Sequence, residues 1–333
     1  MNKILNNNHT IFLAGASGMV GSSIKRALIK LGCGIKSNKC HLLSPSRDEL
    51  NLLDSESVKA WFKIYKPSIV ILAAAKVGGI MANSNYPANF ILENIKIQTN
   101  VIETAFIQGV KRLLFLGSSC IYPKYTSQPI REESLLKGDL EKTNECYAVA
   151  KIAGLKLCEA LRTQYNFDAI SLMPTNLYGP NDNYHPKNSH VIAALIRKFL
   201  IAKKENSSSV TCWGSGNVFR EFLHVDDLAD AVIFCLENWD YSNTNAPKDS
   251  TGKFLNHLNV GTGKDISIKE LATKIAAITN YRGEILWDTS KPDGTPKKLL
   301  DVSRINKLGW ESKIDLDKGL VDTIRELKIS NLF

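Results

Sequence analysis

Thr10-Ile11-Phe12-Leu13-Ala14-Gly15-Ala16-Ser17-Gly18-Met19-Val20-Gly21 is the stretch that decides the fold. Its first five residues form an apolar run that predicts a buried strand, and a helical pattern follows the last glycine up to about Leu31. Strand, glycine-rich turn and helix, in that order, are the context that a dinucleotide fingerprint requires. The first glycine permits the tight turn, the second lets backbone approach a pyrophosphate, and the third lets the helix pack on the strand. The phosphates would then bind free N–H groups at the start of the helix.

The end of the next predicted strand, at about Cys40 to Leu43, bears on the choice of cofactor. An enzyme that selects NAD usually carries an acidic residue there, which bonds the ribose 2′-hydroxyl. This position is polar and uncharged, and Arg47 follows closely. We therefore predict that Arg47 contacts a 2′-phosphate and that the cofactor is NADP(H). The alternative is that Arg47 only caps a loop.

Strand-like runs alternate with helical patterns through the first half of the chain. The strands are expected at about Ser68–Ala74, Leu113–Leu116 and Ala169–Met173, and the helices at about Ser55–Tyr65, Asn89–Gln108 and Glu145–Asn166. Such alternation predicts an α/β fold with a doubly wound parallel sheet. We expect a Rossmann domain over residues 1–175, with segments near 204–225 and 267–287 returning to it. Residues 176–333 would form a smaller mixed α/β substrate domain.

The composition excludes several classes of protein. Among 333 residues, seven cysteines form no CxxC pair and six histidines are dispersed, so neither a disulfide framework nor a metal site is expected. No apolar run approaches the ~18 residues of a membrane span, and the first ten residues lack the apolar core of a signal peptide. We expect a cytoplasmic protein with reduced thiols. The net charge of +9 comes without a nucleic-acid-binding signature, so we expect no nucleic-acid partner.

Tyr147 and Lys151 are four residues apart in a predicted helix and therefore share one face. The lysine cation is expected to lower the pKa of the phenol from its ordinary value of roughly 10 and make it a better acid. Ser118 follows a predicted strand at the sheet edge where the dinucleotide would bind. A Ser–Tyr–Lys set beside a nicotinamide performs carbonyl reduction, with both hydroxyls on the carbonyl oxygen and the tyrosine as proton donor. The alternative is a surface Tyr and Lys with no joint role.

The chain resembles the extended short-chain dehydrogenase/reductase family that acts on nucleotide sugars, over nearly its whole length. Within that family it is similar to the enzymes that epimerise and reduce GDP-4-keto-6-deoxymannose to GDP-L-fucose. The segments that carry the resemblance are AAAKVGGI at 73–80, LFLGSSCIYPK at 114–124, NECYAVAKIAG at 144–154, MPTNLYGPNDNYHP at 173–186, NSHVI at 188–192, REFLHVDD at 220–227 and KPDGTPKKLLD at 291–301.

The resemblance implies a second chemistry in the same site. Carbons 3 and 5 of the sugar flank the C4 ketone, which acidifies their protons, so inversion needs a base on one face and an acid on the other. Cys120 and His190 match the residues that have those roles in the family. From the residues alone, Cys120 could instead be a small buried side chain, and His190 a residue in the first turn of an amphipathic helix.

The resemblance also assigns binding residues. The substrate-binding positions are Lys198, Trp213, Arg220 and Asp293, where Arg220 would grip a diphosphate bidentately. Core packing is the alternative for Trp213. The cofactor-binding positions are Gly15, Ser17, Gly18, Met19, Val20, Gly21, Arg47, Leu116, Gly117, Ser119, Lys151, Pro174, Asn176, Leu177 and His190. Two positions depart from the family pattern, since Ser17 and Lys198 stand where relatives often carry a basic residue and an arginine.

The expected activity is therefore NADPH-dependent 3,5-epimerisation and 4-keto reduction of a GDP-sugar, in a homodimer. A 4-keto reductase of a related GDP-sugar, such as a GDP-keto-heptose, is the main alternative. A 4,6-dehydratase would be expected to carry an acidic residue just after Ser118, whereas Ser119 and Cys120 stand there. A nucleotide-sensing regulator is disfavoured because such proteins typically lack the complete Ser–Tyr–Lys set.

Overall fold

The computed structural model describes residues 8–34, 40–186, 188–241 and 243–329. The first seven residues, on which part of the expectation about a signal peptide depends, lie outside the described residues. The strands are β1 Thr10–Ala14, β2 His41–Leu43, β3 Ile69–Leu72, β4 Arg112–Leu116, β5 Ala169–Pro174, β6 Asn176–Tyr178, β7 Ser209–Trp213, β8 Phe219–His224, β9 His257–Val260, β10 Asp265–Ser267, β11 Glu284–Asp288 and β12 Lys297–Lys298. The helices are α1 Met19–Lys30, α2 Ser55–Tyr65, α3 Ile80–Asn85, α4 Pro87–Ile107, α5 Glu145–Tyr165, α6 Val191–Lys204, α7 Val225–Asn238, α8 Ile268–Thr279, α9 Ser303–Leu308 and α10 Leu316–Ile329.

Six strands form a central parallel sheet in the order β2-β1-β3-β4-β5-β9. The predicted doubly wound parallel sheet is confirmed. The chain runs outward from β1 to β2 and then crosses back to β3, so the winding reverses between β1 and β3. In open α/β sheets, the crevice at such a reversal, outside the carboxyl ends of the strands, is where ligands bind.

Side chains from alternate positions of the central strands pack on opposite faces of the sheet, as the two-residue period of a strand requires. Ile11 and Leu13 of β1 belong to an apolar cluster with α1 and α7. Phe12 and Ala14 belong to a second cluster with α2, α4 and α5. Because both faces are covered, the middle strands β1, β3 and β4 are largely apolar, which is why they were recognisable as continuous runs.

The segments near 204–225 and 267–287 do not supply strands to the central sheet, so that part of the domain prediction is wrong. Instead β7 pairs with β11, and β8 joins a small sheet with β6, β10 and β12. The late strand of the central sheet is β9, which pairs with β5. Its sequence, His257-Leu258-Asn259-Val260, is short and half polar, so no apolar run marked it as a strand.

A third apolar cluster lies among α6, α8 and α10, with Phe199, Leu271 and Leu320 fully buried. This cluster supports the two small sheets and gives the second half of the chain a core of its own. In the described ranges, no helix combines the length and apolar composition needed to cross a membrane.

Candidate active site

The glycine turn between β1 and α1 has the geometry of a phosphate cradle. Gly15 has φ +89°, and a Cβ on Gly21 would lie 2.0 Å from the Gly15 carbonyl oxygen. Helix α1 begins at Met19 after Gly18, with no side chain capping its N-terminus and no acidic residue in its first turn. Its first N–H groups therefore face outward without a competing acceptor, and the turn fits the diphosphate of a dinucleotide.

The loop after β2 is closed by residues other than Arg47. The Ser46 N–H donates to Glu49 Oε2 at 2.7 Å, and the Glu49 N–H donates to Ser46 Oγ at 3.3 Å. The Arg47 side chain is exposed and makes no hydrogen bond or ion pair with the described residues. The cap is thus made by its neighbours, which leaves the guanidinium of Arg47 free to bind an anion such as a 2′-phosphate.

Ser118 and Tyr147 meet at the carboxyl end of β4. Ser118 begins a 3₁₀ turn, Ser119–Ile121, and its hydroxyl accepts the Cys120 N–H at 3.2 Å. The Tyr147 ring stands edge-on to Phe90, with centroids 6.3 Å apart. Burial and the nearby Cys120 raise the pKa of Tyr147 far above its ordinary value, while its hydrogen bond with Ser118 opposes the rise. The predicted lowering of this pKa by Lys151 is wrong, because desolvation dominates.

Lys151 lies on the same face of α5 as Tyr147, one turn further along. It is only 3 % exposed, and its ammonium donates to the Leu116 carbonyl at 2.9 Å. Its Nζ atom lies 4.8 Å from the Phe115 ring centroid and 6.0 Å from that of Tyr147. Burial lowers the pKa of Lys151 to about 8. The predicted shared face is confirmed, and the amine is held beside the ring rather than on the phenol oxygen.

Cys120 is half-buried beside the same tyrosine. The Asn144 amide, which immediately precedes α5, donates to Cys120 Sγ at 3.5 Å. The other amide atom of Asn144, Oδ1, is buried without a hydrogen-bond partner in the described structure. This contact fixes the place of the Cys120 sulfur relative to the start of α5. Sequence reasoning missed Asn144, although it stands in the same segment as Tyr147.

His190 directly precedes α6, and the loop after β3 contacts the two residues before it. The Gly79 N–H donates to the Asn188 carbonyl at 3.1 Å, and a Cβ on Gly79 would lie 2.6 Å from the Ser189 carbonyl oxygen. The His190 side chain is exposed, yet desolvation by the surrounding protein lowers its pKa. His190 therefore lines a cleft that is open to water on one side and walled by protein on the others.

The predicted sugar-nucleotide residues form one connected group. Trp213, at the end of β7, is 50 % exposed, which excludes the core-packing alternative. Lys198 Nζ lies 5.3 Å and Lys291 Nζ 6.0 Å from its ring centroid. Lys198 also donates to the Thr211 carbonyl at 2.7 Å. Two cations over one exposed indole suit an anionic aromatic ligand such as a nucleoside diphosphate.

Arg220 joins that group to the catalytic residues. Its guanidinium donates to the Asp293 carbonyl at 3.2 Å. Burial lowers the pKa of Arg220, and the charges of Asp293, Glu141 and Cys120 oppose this lowering. The Asp293 carboxylate itself accepts the Ser215 N–H at 2.7 Å and the Ser215 hydroxyl at 2.8 Å. Asp293 therefore holds the Ser215 turn and the arginine in place, and its carboxylate is already engaged.

The remaining predicted cofactor residues lie at the same sheet edge. Leu116 ends β4. The next residue, Gly117, packs against Met173, and a Cβ at Gly117 would lie 2.3 Å from the methionine Sδ. Pro174 ends β5, and Leu177 lies in β6. The Asn176 amide donates to the Glu221 carbonyl at 2.9 Å, so this side chain supports β8. Met19 and Val20 open α1, and Ser17 is exposed in the glycine turn.

A separate cavity lies away from these residues. A volume of about 800 Å³ separates the start of α8 from the segment before α10, and it contains none of the predicted site residues. Two of its four lysines are already in ion pairs, Lys274 with Asp317 and Lys313 with Asp230. The cleft at the carboxyl edge is the better candidate, because the Lys151 amine and the Tyr147 phenol, both with shifted pKa values, lie there beside the Cys120 thiol. Within the described ranges, no group of His, Cys, Asp and Glu is arranged to hold a metal ion.

Comparison with known proteins agrees with this geometry. Residues 11–248 match the family model described as the NAD dependent epimerase/dehydratase family. The chain is 52% identical over 317 residues to GDP-L-fucose synthase of Escherichia coli (strain K12), covering 94% of each protein.

Solved structures show the same fold. The crystal structure of a GDP-6-OMe-4-keto-L-xylo-heptose reductase from C. jejuni matches with a TM-score of 0.90 and 36% identity, over 99% of this chain and 100% of that one. A GDP-mannoheptose C4 reductase from Campylobacter jejuni with NADP bound matches with a TM-score of 0.84 and 37% identity, over 97% of this chain and 99% of that one.

Proposed function

The chain belongs to the NAD dependent epimerase/dehydratase family, and from this premise we propose that it converts GDP-4-keto-6-deoxymannose to GDP-L-fucose with NADPH. It is an NADP-dependent epimerase and reductase whose relatives at half identity include a GDP-L-fucose synthase. One observation supports both activities in a single site. Cys120, Ser118 and Tyr147 lie together at the end of β4, and Cys120 is close enough to raise the pKa of Tyr147.

Reduction of the C4 ketone uses the Ser–Tyr–Lys group. When bound, NADPH supplies the hydride, and the glycine turn and Lys151 would hold it. The Ser118 and Tyr147 hydroxyls donate hydrogen bonds to the ketone oxygen and stabilise the negative charge that develops there. Because its pKa is raised, Tyr147 carries its proton at neutral pH and donates it to that oxygen. Lys151, whose pKa is about 8, stabilises the phenolate left behind.

Epimerisation uses Cys120 and His190. Each removes or returns a proton at the carbons flanking the ketone, while the same two hydroxyls hold the enolate oxygen. The Asn144 amide holds Cys120 Sγ in place, and His190 is solvent-accessible, as a residue that exchanges protons with water must be. Arg220, Trp213 and Lys198 hold the GDP moiety so that the sugar reaches these groups.

A second candidate is reduction of a GDP-keto-heptose with little or no epimerisation. The two heptose reductases above superpose on nearly the whole chain. Their identity to this chain is 36–37%, against 52% for the Escherichia coli fucose synthase. The higher identity favours the fucose reaction.

The test incubates pure protein with GDP-4-keto-6-deoxymannose and NADPH in D₂O, and locates deuterium in the product by NMR. We expect GDP-L-fucose with deuterium at C3 and C5. Tyr147→Phe should abolish NADPH oxidation, while Cys120→Ser should mainly block exchange at those carbons. Product without deuterium would leave a simple 4-reductase, and no product would exclude this substrate.

We also propose that the protein is a cytoplasmic homodimer. Helices α4 and α5 pack together and expose apolar side chains, among them Leu92 at 54 % and Ile107 at 62 %. An exposed apolar face of two long helices is typical of an interface between copies. All seven cysteines are free, which suits a reducing compartment.

The dimer is tested by light scattering after gel filtration. Leu92→Lys combined with Ile95→Lys should halve the molar mass, because it places charges on the proposed interface. Ile64→Lys, on the exposed side of α2, is the matched control and should leave the mass unchanged. A parent protein that elutes with the mass of one chain would refute the dimer.

A further inference from the structure

The 3₁₀ turn that carries Ser118 and Cys120 is anchored at its far end by a buried phenol. Tyr122 follows the turn directly, and its N–H donates back to the Ser119 carbonyl at 3.4 Å. The Tyr122 side chain is 2 % exposed, and its hydroxyl donates to Asn259 Oδ1 at 2.6 Å. Tyr122, two residues after the thiol, is thus tied to a strand residue 137 positions away in sequence.

Asn259 is itself held on all sides. It lies in β9, paired with Met173 of β5, and is fully buried. Its amide donates to the carbonyls of Ile130 at 2.9 Å and Asp301 at 3.2 Å. Its backbone N–H donates to Glu132 Oε1 at 3.0 Å. The acceptor that Tyr122 uses is therefore a fixed point of the molecule, not a side chain that follows the turn.

An ion-paired group fixes the same point from the outside. Glu132 is 1 % exposed and pairs with Arg304, which also pairs with Glu133. The Arg304 guanidinium further donates to the Lys248 carbonyl at 3.1 Å. A buried carboxylate is stable only when it is paired and hydrogen-bonded in this way. Glu132, held by Arg304, thus fixes Asn259 through its backbone N–H, and Asn259 fixes Tyr122 through its side-chain oxygen.

We propose that Tyr122 and Asn259 are positioning residues that set the place of the Cys120 thiol relative to Ser118 and Tyr147. This inference rests on the proposed function for its effect on catalysis, but not for its structural content. The start of the turn is held by the Ser118 hydroxyl, and Ile121 is buried in the core with no polar contact of its side chain. The Asn144 amide holds the Cys120 sulfur from the side of α5, and among the described residues the Tyr122 hydroxyl ties the far end of the turn to the central sheet. Without the Tyr122 bond, the end of the turn loses its tie to β9, and Cys120 is held only by its contacts with Ser118 and Asn144.

Tyr122→Phe removes one oxygen atom and keeps the ring. Tyr241→Phe is the matched control, because its hydroxyl is also partly buried and donates to the Leu255 carbonyl and Asn256 Oδ1, close to β9 but away from the turn. With substrate, Tyr122→Phe should slow C3 and C5 exchange by at least about tenfold with little change in KM, because misplacing a catalytic group lowers kcat. The control should keep the parent rates.

A second readout needs neither substrate nor cofactor. The free protein is treated with iodoacetamide, and alkylation of Cys120 and Cys146, both half-buried, is measured peptide by peptide by mass spectrometry. Tyr122→Phe should raise the alkylation rate of Cys120 by roughly threefold or more and leave that of Cys146 unchanged, because only the first thiol sits on the released turn. Asn259→Ala, which removes the acceptor, should give the same selective rise if Tyr122→Phe proves insoluble.

The outcomes separate the two proposals. Unchanged alkylation of Cys120 in Tyr122→Phe would overturn the positioning role, whatever the enzyme does. An equal rise at Cys120 and Cys146, or the same rise in Tyr241→Phe, would show general loosening and would also overturn it. If the alkylation rate of Cys120 rises selectively in Tyr122→Phe but the parent protein makes no GDP-L-fucose, the positioning role is supported and the proposed function is refuted.

Discussion

At the scale of single residues, burial of the Lys151 amine limits the pH range of the proposed reduction. The amine is nearly inaccessible, its one hydrogen-bond acceptor is the Leu116 carbonyl, and its pKa is lowered to about 8. It is therefore cationic below about pH 8 and increasingly neutral above. A neutral amine neither stabilises the Tyr147 phenolate nor attracts an anionic cofactor.

We expect kcat/KM for NADPH to fall as the pH rises through about 8, since this parameter reports groups of the free enzyme. Lys151→Arg should move the alkaline limb to higher pH, because a guanidinium stays charged, although its larger head group will lower the maximum. The measurement is a pH profile of NADPH oxidation between pH 6 and 10 for both proteins. An alkaline limb at the same pH in both would assign it to another group.

Residue types and spacing predicted much of the site, because helix geometry alone places Tyr147 and Lys151 on one face. The same reasoning could not find Asn144, since its contact with Cys120 depends on how α5 docks against the 3₁₀ turn. It also could not show that the Asp293 carboxylate is engaged by Ser215. Contacts of this kind are set by tertiary packing and have no signature in sequence spacing.

At the scale of elements, the junction of β1 and α1 separates two roles of glycine. A Cβ at Gly21 would lie 2.0 Å from the Gly15 carbonyl oxygen, whereas a Cβ at Gly18 would meet nothing closer than 3.7 Å. At Gly21 the protein itself leaves no room for a side chain. At Gly18 the protein leaves room for a Cβ, and only a bound diphosphate would occupy that space.

Gly21→Ala should therefore lower the free energy of unfolding by roughly 1–3 kcal/mol, because the extra methyl forces α1 away from the strand. Gly18→Ala should change the unfolding free energy by less than roughly 0.5 kcal/mol but weaken NADPH binding by roughly tenfold, about 1.4 kcal/mol. Urea unfolding and fluorescence titration with NADPH measure the two effects. Normal NADPH affinity in Gly18→Ala would mean that the diphosphate does not approach this backbone.

Elements with strong local signals were predicted closely. Helix α2 runs over Ser55–Tyr65 as expected, because Asp54 caps it and apolar residues recur at helical spacing. Strand β9 was missed because it is four residues long and two of them, His257 and Asn259, are polar. Those residues are buried in the fold by partners that are remote in sequence.

At the scale of the whole molecule, buried histidine makes stability depend on pH. His257 is 8 % exposed, its Nε2 has no hydrogen-bond partner in the described residues, and burial lowers its pKa to about 4. The unfolded chain binds a proton near the ordinary value of 6.5. Between those two values the unfolded chain takes up a proton that the native protein excludes, so stability present above pH 6.5 is lost as the pH falls toward 4.

We expect proton uptake at His257 in the unfolded chain to lower the free energy of unfolding by about 2 kcal/mol between pH 7 and pH 5. His257→Gln cannot take up the proton, so its unfolding free energy should fall less over the same range by about that amount. Urea unfolding at pH 7, 6 and 5, at one protein concentration, tests this. The other histidines contribute equally to both proteins, so parallel pH profiles for the two would refute the assignment.

The late return of β9 to the central sheet has a consequence for synthesis on the ribosome. Strand β5 emerges roughly eighty residues before its neighbour, which at 5–20 residues per second is a delay of roughly 4–16 s. During that interval β5 presents an unpaired edge to other nascent chains. Only when β9 arrives does that edge close, and with it comes Asn259, the acceptor that anchors Tyr122. A chain that ends before residue 257 would therefore carry Ser118, Tyr147 and Lys151 but would lack the acceptor for Tyr122, and the edge of β5 would stay unpaired.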